Sequence, residues 1–333
     1  MEKHFLLCTE RSGSNLITKI LNAHSLICGP STKHIMNPVL RNIFRYEPIE
    51  NSENWKIFIE DVLRLFNVEF SIWKKKFTID ELLNNVTKGD YIGLINYFFE
   101  QETLSNNKKI VFIKENHTYE FFPYLLKYFS SSKFIYQVRD PRDVALSWKK
   151  NPTHKGGIVN ASKQWKNDQQ QLLKMVHFLS QDNRVHQIKY EELILDTPKC
   201  IKDILTFLDL EYEPLITEFY KDSLTQKNST TQDAWGNLSK SIMTNNSEKF
   251  LNELTKEEII IIEKICFNEM KFLNYNIVSS MKELNQVSNK MIEDFKSDEE
   301  SIVYNPSSGV KENMKAKKIF YERNLNPLND ANI

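Results

Sequence analysis

The chain has 333 residues, and its 44 basic side chains balance 44 acidic ones, which leaves no electrostatic case for a nucleic-acid-binding or membrane-surface protein. Its hydrophobic content of 41% can fill a sizeable core, which excludes disorder as the general state. No apolar run approaches the about 20 residues that span a bilayer, and no signal-peptide segment is recognisable, so we expect a cytoplasmic protein.

Short apolar stretches of the sequence predict buried strands, which fall at residues 4–9, 109–113, 133–138 and 185–190. Helical periodicity lies between them, and later helices are predicted at residues 196–210 and from a capping box of Thr255 and Glu258. Strands that alternate with helices predict an α/β fold with a doubly wound, mostly parallel sheet. The aromatic-rich region 35–107 is predicted to be mostly helical and to supply walls of a substrate pocket.

The first predicted strand runs into a polar turn and then into a helix, with the sequence Arg11-Ser12-Gly13-Ser14-Asn15 at the junction. Backbone N–H groups at such a helix start, reinforced by the helix dipole, form an anion site. Arg11 adds a fixed positive charge, and the small residues allow close approach. The Lys-Ser/Thr pair of a magnesium-dependent P-loop is missing, since Lys19 lies within the helix. The turn therefore indicates a site for a phosphate-like group.

A second candidate anion site follows the third predicted strand. Arg139 ends this strand, Pro141 can start a helix, and Ser147 lies on that helix. Ligands of open parallel sheets bind outside the carboxyl ends of the strands, so Arg139 and the Arg11 turn can face one crevice. The two elements together predict a ligand with two separated anionic groups.

Because the Arg11 turn and the Arg139 motif occur in this order along the chain, the sequence resembles the sulfotransferases that use 3′-phosphoadenosine 5′-phosphosulfate (PAPS). Their 5′-phosphosulfate loop is similar to residues 11–15, and their 3′-phosphate motif is similar to Arg139 with Ser147. The stretch Tyr190-Glu191-Glu192-Leu193 resembles a strand end of the family, and residues 235–250 resemble the lid over its nucleotide. The resemblance implies a P-loop-NTPase-like fold for residues 1–280.

The resemblance also implies an activity: transfer of a sulfo group to a hydroxyl or amine acceptor, without a metal, with adenosine 3′,5′-bisphosphate as the product. Charge that builds on the leaving phosphate needs preorganised cations and donors, a role for Arg11. Lys114 resembles the lysine that the family keeps near the transferring group. The residues expected to bind the nucleotide are Arg11, Ser12, Gly13, Ser14, Asn15, Arg139, Ser147, Tyr190 and Lys249.

An acceptor hydroxyl that loses its proton needs a general base. Some relatives place a Glu where this chain has Ser31 or Thr32, which argues against protein-tyrosine sulfation. His117 is a candidate base because its position is similar to that of the catalytic histidine in cytosolic members. His34 is the other, because it lies near the place of the missing carboxylate, and Glu115 ranks after both.

Two other functions stay open at this point: a P-loop-type kinase or nucleoside triphosphatase, and a non-catalytic nucleotide-binding module. The expected partner is a small-molecule, glycan or lipid acceptor, with no nucleic acid and no transmembrane segment. Residues 281–333 are predicted to be a helical C-terminal extension with an apolar stripe of Met281, Leu284, Val287 and Met291. The four cysteines are widely scattered, so we expect core thiols and no metal.

Overall fold

The computed structural model describes residues 1–151, 157–300 and 305–325. In these ranges, five parallel strands form one sheet in the order β2-β3-β1-β4-β5. The strands are β1 (Glu2–Cys8), β2 (Ile27–Cys28), β3 (Ile110–Lys114), β4 (Phe134–Val138) and β5 (Val185–Lys189). The four predicted strands are confirmed; β2 was missed, because two residues are too short to show a pattern.

Helices cover both faces of the sheet. Up to β5 they are α1 (Ser14–Asn22), α2 (Met36–Asn42), α3 (Ser52–Phe66), α4 (Ile79–Asn85), α5 (Tyr91–Ser105), α6 (Phe122–Tyr128), α7 (Pro141–Lys149) and α8 (Gly157–Ser180). After β5 they are α9 (Tyr190–Leu195), α10 (Thr197–Phe207), α11 (Ser223–Ser229), α12 (Phe250–Glu253), α13 (Lys256–Phe272), α14 (Met281–Gln286), α15 (Asn289–Glu300) and α16 (Ser308–Glu322). Short 3₁₀ helices cover Ile43–Tyr46, Thr118–Phe121, Pro214–Lys221 and Asp233–Ser239.

Alternate side chains of β1 enter two separate cores. Phe5 and Leu7 join the core that contains residues of α3, α5, α8 and α13, whereas Leu6 and Cys8 join the core that contains residues of α1 and α10. Successive side chains of a strand point to opposite faces, so a strand that is apolar throughout must be covered on both sides. The doubly wound α/β architecture predicted from the sequence is confirmed.

The predicted helices are also present. The Thr255 hydroxyl accepts a hydrogen bond from the Glu258 N–H (3.2 Å), and the Glu258 carboxylate accepts one from the Thr255 N–H (2.8 Å), which is the predicted capping box at the start of α13. Region 35–107 is mostly helical, as expected. The four cysteines are buried free thiols, in agreement with their prediction as core residues.

Within residues 281–300 and 305–325 the C-terminal segment forms α14, α15 and α16, but its predicted apolar stripe is only half right. Leu284 and Val287 are buried, whereas Met281 is 56% and Met291 is 44% exposed. The reason is that α14 ends at Gln286, which breaks the helical register that the stripe assumed. The division at residue 280 stays a prediction, and residues 301–304 and 326–333 lie outside the described ranges.

The last helix, α16, packs against α2 and α3. Its Phe320 is fully buried and lies against Tyr46, with ring centroids 6.0 Å apart. Arg323 donates to both carboxylate oxygens of Asp61 at 2.8 Å, and the Tyr46 hydroxyl donates to the same carboxylate at 2.9 Å. The end of the described chain is therefore fixed to the helical region that follows β2.

No helix within the described ranges is long and apolar enough to cross a membrane. Within the same ranges, no group of three or more His, Cys, Asp or Glu side chains is placed to hold a metal ion.

Candidate active site

The turn between β1 and α1 presents main-chain donors at the carboxyl edge of the sheet. Arg11 and Gly13 have positive φ angles of 63° and 85°, and the Ser12 hydroxyl donates to the carbonyl oxygen of Thr9 (2.8 Å). The first bond of the helix runs from the N–H of Leu16 to the carbonyl oxygen of Gly13 (2.9 Å). The N–H groups before it have no intrahelical acceptor, so the turn has the main-chain geometry of an anion site.

Glycine is required at position 13 because neighbouring atoms pack closely there and because the backbone φ is positive. A Cβ atom at this position would lie 2.3 Å from Cδ2 of Tyr190, the first residue of α9. The same tyrosine ring lies beneath the guanidinium of Arg139, 4.2 Å from the ring centroid. Tyr190 thus packs between the two predicted anion-binding elements and sets their spacing.

Arg139 follows β4 and holds three segments together. Its Nη1 donates to the carbonyl oxygen of Arg11 (3.1 Å) and its Nη2 to that of Asn246 (2.9 Å), while the Asn246 amide donates to the Tyr190 hydroxyl (2.6 Å). Its Nε is buried and has no hydrogen-bond partner within the described ranges. A buried cationic donor without a partner is costly, so this atom favours an anion as its missing partner.

Arg11 and Arg139 place two guanidinium groups in one region. The Nε of Arg11 donates to the hydroxyl of Ser147 on α7 at 3.0 Å. Burial, together with the nearby charge of Arg139, lowers the pKa of Arg11 to about 10. Neighbouring like charges raise the free energy of the empty site, and a bound anion relieves that repulsion.

A cavity of about 400 Å³, the first cavity, lies over these groups. Eight of the nine residues that the sequence assigned to nucleotide binding line it, namely Arg11, Gly13, Ser14, Asn15, Arg139, Ser147, Tyr190 and Lys249. The ninth, Ser12, is fully buried in the turn. Sequence reasoning missed Asp143, Lys150, Asn151 and Asn246, which also line it.

Residues 234–249 form the opposite wall of the first cavity, in the segment that resembles a lid. Asp143 of α7 anchors this wall, because its carboxylate accepts hydrogen bonds from the N–H groups of Glu248 (2.7 Å) and Phe250 (3.1 Å). The Phe250 ring lies under the guanidinium of Arg142, 4.0 Å from the ring centroid. The backbone on both sides of Lys249 is thereby tied to α7.

A second cavity of about 240 Å³ meets the first at the N-terminus of α1. The two share five lining residues, which are Arg11, Ser14, Asn15, Asn151 and Ala234. The remaining residues around the second cavity are Glu10, Thr32, His34, Phe70, Lys114, Asn116, Gln232, Trp235, Val310, Asn313, Met314 and Lys317. A ligand could therefore extend from one cavity into the other past the Arg11 turn.

The expectation that region 35–107 supplies the pocket walls is largely wrong. Of this region only Phe70 lines either cavity, and its other aromatic side chains, Trp55 and Phe58 among them, fill the core instead. Part of the wall of the second cavity comes instead from α16, which sequence reasoning left without a role. The helical pattern of this segment predicts a helix but gives no sign that it lines a cavity.

His34 lies in the second cavity beside a buried carboxylate. Its Nδ1 is 3.6 Å from Oε2 of Glu115, whose other oxygen accepts a hydrogen bond from the N–H of Ile35 (3.1 Å). Burial, with smaller contributions from Lys317 and Lys114, holds the pKa of His34 well below its ordinary value. Burial also raises the pKa of Glu115 to about 7. The imidazole is therefore neutral, with a free electron pair, at neutral pH.

The other two predicted catalytic residues lie in different surroundings. Lys114 ends β3, is only 7% exposed and lines the second cavity, and within the described ranges its amino group makes no hydrogen bond or ion pair. His117 has a positive φ of 52° and precedes the 3₁₀ helix Thr118–Phe121, with its ring 5.8 Å from that of Tyr119. It is not among the residues that line either cavity.

Comparison with known proteins agrees with this architecture. The sequence model described as "Sulfotransferase family" matches residues 4–214. No curated protein matches the chain at a significant level. Among solved structures, the sulfotransferase domain from the curacin biosynthetic pathway has a TM-score of 0.55 at 18% identity, and the match covers 83% of this chain and 99% of that one. The sulfotransferase domain of the Synechococcus PCC 7002 olefin synthase has a TM-score of 0.54 at 18% identity, covering 80% of this chain and 94% of that one.

Proposed function

The chain belongs to the sulfotransferase family, and we propose that it transfers a sulfo group from PAPS to a hydroxyl or amine group of a small acceptor. One observation carries the proposal. The two anion-binding elements line a single cavity, and that cavity meets a second one, lined by His34 and Lys114, at the N-terminus of α1. This arrangement suits a donor with two anionic groups next to an acceptor and a base.

The first cavity fits the donor by its chemistry. Among the described residues, the buried Nε of Arg139 has no hydrogen-bond partner, and the first N–H groups of α1 have no side-chain cap, so the cavity offers two separated places for anions. We assign Arg139 and Ser147 to the 3′-phosphate and the Arg11 turn to the 5′-phosphosulfate, with Tyr190 and Lys249 as further contacts. When bound, PAPS supplies an activated sulfo group whose departure leaves negative charge on the 5′-phosphate.

The chain's own cations are arranged to stabilise that charge. Arg11 belongs to both cavities, so it lies where they meet, and the ammonium of Lys114 lines the second cavity without a partner in the described ranges. Donors and cations that are already in position need no reorganisation during the reaction, which is the main electrostatic contribution in such sites. We assign Arg11 and the N–H groups of α1 to the leaving phosphate, and Lys114 to the group in transfer.

We propose His34 as the general base. Its neutral imidazole can accept a proton from the acceptor hydroxyl, and the Glu115 carboxylate at 3.6 Å can orient the ring and stabilise the imidazolium that forms. Glu115 is thus a positioning residue. The observation that favours His34 over His117 is its place in the wall of the second cavity.

The proposal is tested by a transfer assay with PAPS labelled in the sulfo group and a panel of small hydroxylated and amino acceptors. We expect labelled product and acceptor-dependent release of adenosine 3′,5′-bisphosphate from the wild type. Arg139→Ala should reduce both when PAPS is limiting, because it weakens donor binding, whereas Arg64→Ala, a change of an exposed arginine on α3, should not. A well-folded wild type that neither binds nor consumes PAPS would contradict the proposal.

A further inference from the structure

Helix α16 is a fixed wall of the second cavity. At its start, the Ser307 hydroxyl donates to the Gln232 side-chain oxygen (3.0 Å), and the carbonyl oxygen of Glu69 comes so close to Gly309 that a Cβ there would lie 2.9 Å from it. At its end, Arg323 is paired with the buried carboxylate of Asp61. Side chains that this helix directs into the cavity are therefore held in place from both ends.

One of those side chains is a lysine whose charge has no direct partner. Lys317 lines the second cavity, and within the described ranges its amino group makes no hydrogen bond or ion pair. Burial lowers its pKa, while the nearby carboxylates of Glu115 and Glu10 oppose that shift. A half-buried ammonium without a direct partner destabilises the folded protein, and a ligand anion bound to it would offset that effect.

The cavity as a whole carries an excess of positive charge. Its lining contains three cations, Arg11, Lys114 and Lys317, against the carboxylate of Glu10, and one further carboxylate, that of Glu115, lies beside His34. The remaining wall combines apolar side chains, among them Phe70 and Trp235, with polar ones, among them Gln232 and Asn313. The positive excess favours an anionic ligand over a neutral one of similar shape.

The sulfo group in transfer accounts for only part of this excess. Arg11 lies where the cavities meet, and Lys114 ends β3, so these two can serve the reacting group. Lys317 comes from a different element, α16, and its charge acts on His34, the proposed base. A cation that lies near the base and is not needed for transfer of the sulfo group points to a second anion, which belongs to the acceptor.

We propose that Lys317 binds a carboxylate of the acceptor, so that the preferred acceptors are small hydroxy acids with the hydroxyl at His34 and the carboxylate at Lys317. The inference rests on the proposed sulfotransferase function and adds its substrate class. The cavity volume of about 240 Å³ lies below the about 300–1,000 Å³ of pockets for drug-sized ligands, so the enclosed part of the acceptor is small.

A structural role for Lys317, as the counter-ion of Glu115, makes a different prediction. In that case its removal would alter stability but not the choice between an acid and its ester. Lys317→Met keeps the unbranched, flexible shape of the side chain, shorter by one atom, and removes the charge. Lys315→Met is the matched control, because Lys315 is an exposed lysine on the same helix.

The experiment is calorimetry on the full chain saturated with adenosine 3′,5′-bisphosphate, titrated with short aliphatic and aromatic hydroxycarboxylic acids and with their methyl esters. In the wild type we expect at least one acid to bind about tenfold or more tightly than its ester, as a charge-assisted hydrogen bond implies. Lys317→Met should abolish that preference, Lys317→Arg should retain part of it, and Lys315→Met should retain it fully.

Three results would overturn the inference: equal affinity of acids and esters, no binding of any acid, or a preference that survives Lys317→Met. Its failure is distinguishable from failure of the proposed function. Lys317 does not line the first cavity, so Lys317→Met should bind the bisphosphate as the wild type does. A wild type that does not bind the bisphosphate overturns both proposals, whereas bisphosphate binding without an acid preference overturns this one alone.

Discussion

The Nε of Arg11 donates a hydrogen bond to the hydroxyl of Ser147 at 3.0 Å, which joins the turn before α1 to helix α7. A serine hydroxyl can accept one hydrogen bond and donate another, so Ser147 can hold Arg11 and still donate to a phosphate oxygen. The two anion-binding elements that the sequence presents as separate motifs thus form one connected site.

The first prediction concerns nucleotide affinity. Arg139→Ala should weaken binding of adenosine 3′,5′-bisphosphate by about 10- to 150-fold, since hydrogen bonds to charged groups contribute about 1.5–3 kcal/mol. Ser147→Ala removes one hydrogen bond to a phosphate oxygen and should weaken binding about tenfold. Calorimetry measures both, with Arg64→Ala and Ser180→Ala as exposed controls. Unchanged affinity in folded Arg139→Ala would contradict the assignment of the 3′-phosphate site.

The second prediction tests the turn itself. Gly13→Ala should lower the melting temperature and the affinity for the bisphosphate, because the new Cβ would lie 2.3 Å from the Tyr190 ring at a backbone φ of 85°. Gly236→Ala is the matched control, since a Cβ there has no neighbour within 4 Å. Thermal unfolding with and without ligand measures both. Equal behaviour of the two variants would show that the turn tolerates the change.

Much of this site follows from local sequence signals. A strand, a polar turn and an apolar helix start are consecutive in the chain, so the Arg11 turn was predictable, and Pro141 marked the start of α7. Both loops then lie at the same edge because parallel strands end there. These are the parts of the fold in which neighbours in sequence are also neighbours in space.

The acceptor side could not be predicted in this way. The helical pattern of α16 predicts a helix but not its packing against α2 and α3, which are more than two hundred residues away in the sequence. The choice between His34 and His117 likewise depends on which side chain lines a cavity, and spacing along the chain does not contain that information. Tertiary packing places these side chains, and the proposal of His34 as the base depends on that placement.

The third prediction concerns the general base. His34→Ala should reduce kcat by about 10²- to 10⁴-fold, the usual contribution of a positioned base, and leave affinity for the bisphosphate unchanged. The pKa of His34 lies well below its ordinary value of 6.5, so the imidazole stays neutral down to a lower pH. We therefore expect kcat/KM to decline with acidity only at pH values below 6.5. The measurement is steady-state kinetics across pH with an acceptor from the panel. A larger loss in His117→Ala would transfer the role to that residue.

The fourth prediction concerns pH-dependent stability at Glu115. Burial raises the pKa of this carboxyl from 4.5 to about 7, so the folded state binds the proton more tightly than the unfolded state does. Its stabilising contribution is present below pH 4.5 and is lost as the pH rises through about 7. Glu115→Gln should therefore gain stability relative to the wild type between pH 5 and pH 8, by up to about 3 kcal/mol at about 1.4 kcal/mol per pKa unit.

Chemical denaturation at pH 5 and at pH 8 measures the free energy of unfolding of Glu115→Gln and of the wild type. Any effect of the altered side chain that does not depend on pH cancels when the two pH values are compared. Glu312→Gln, a change at an exposed carboxylate on α16, is the control. A stability gap between Glu115→Gln and the wild type that is the same at both pH values would contradict the raised pKa of Glu115.

A thermal-shift titration tests whether the first cavity binds the sulfonucleotide. The protein is titrated with adenosine 3′,5′-bisphosphate and, separately, with ATP, each with and without magnesium. At a hundredfold excess over Kd, a ligand of the native state adds about 2.7 kcal/mol to stability. We expect the bisphosphate to raise the melting temperature equally with and without magnesium. A rise with magnesium-ATP alone would instead favour a kinase and overturn the proposed function.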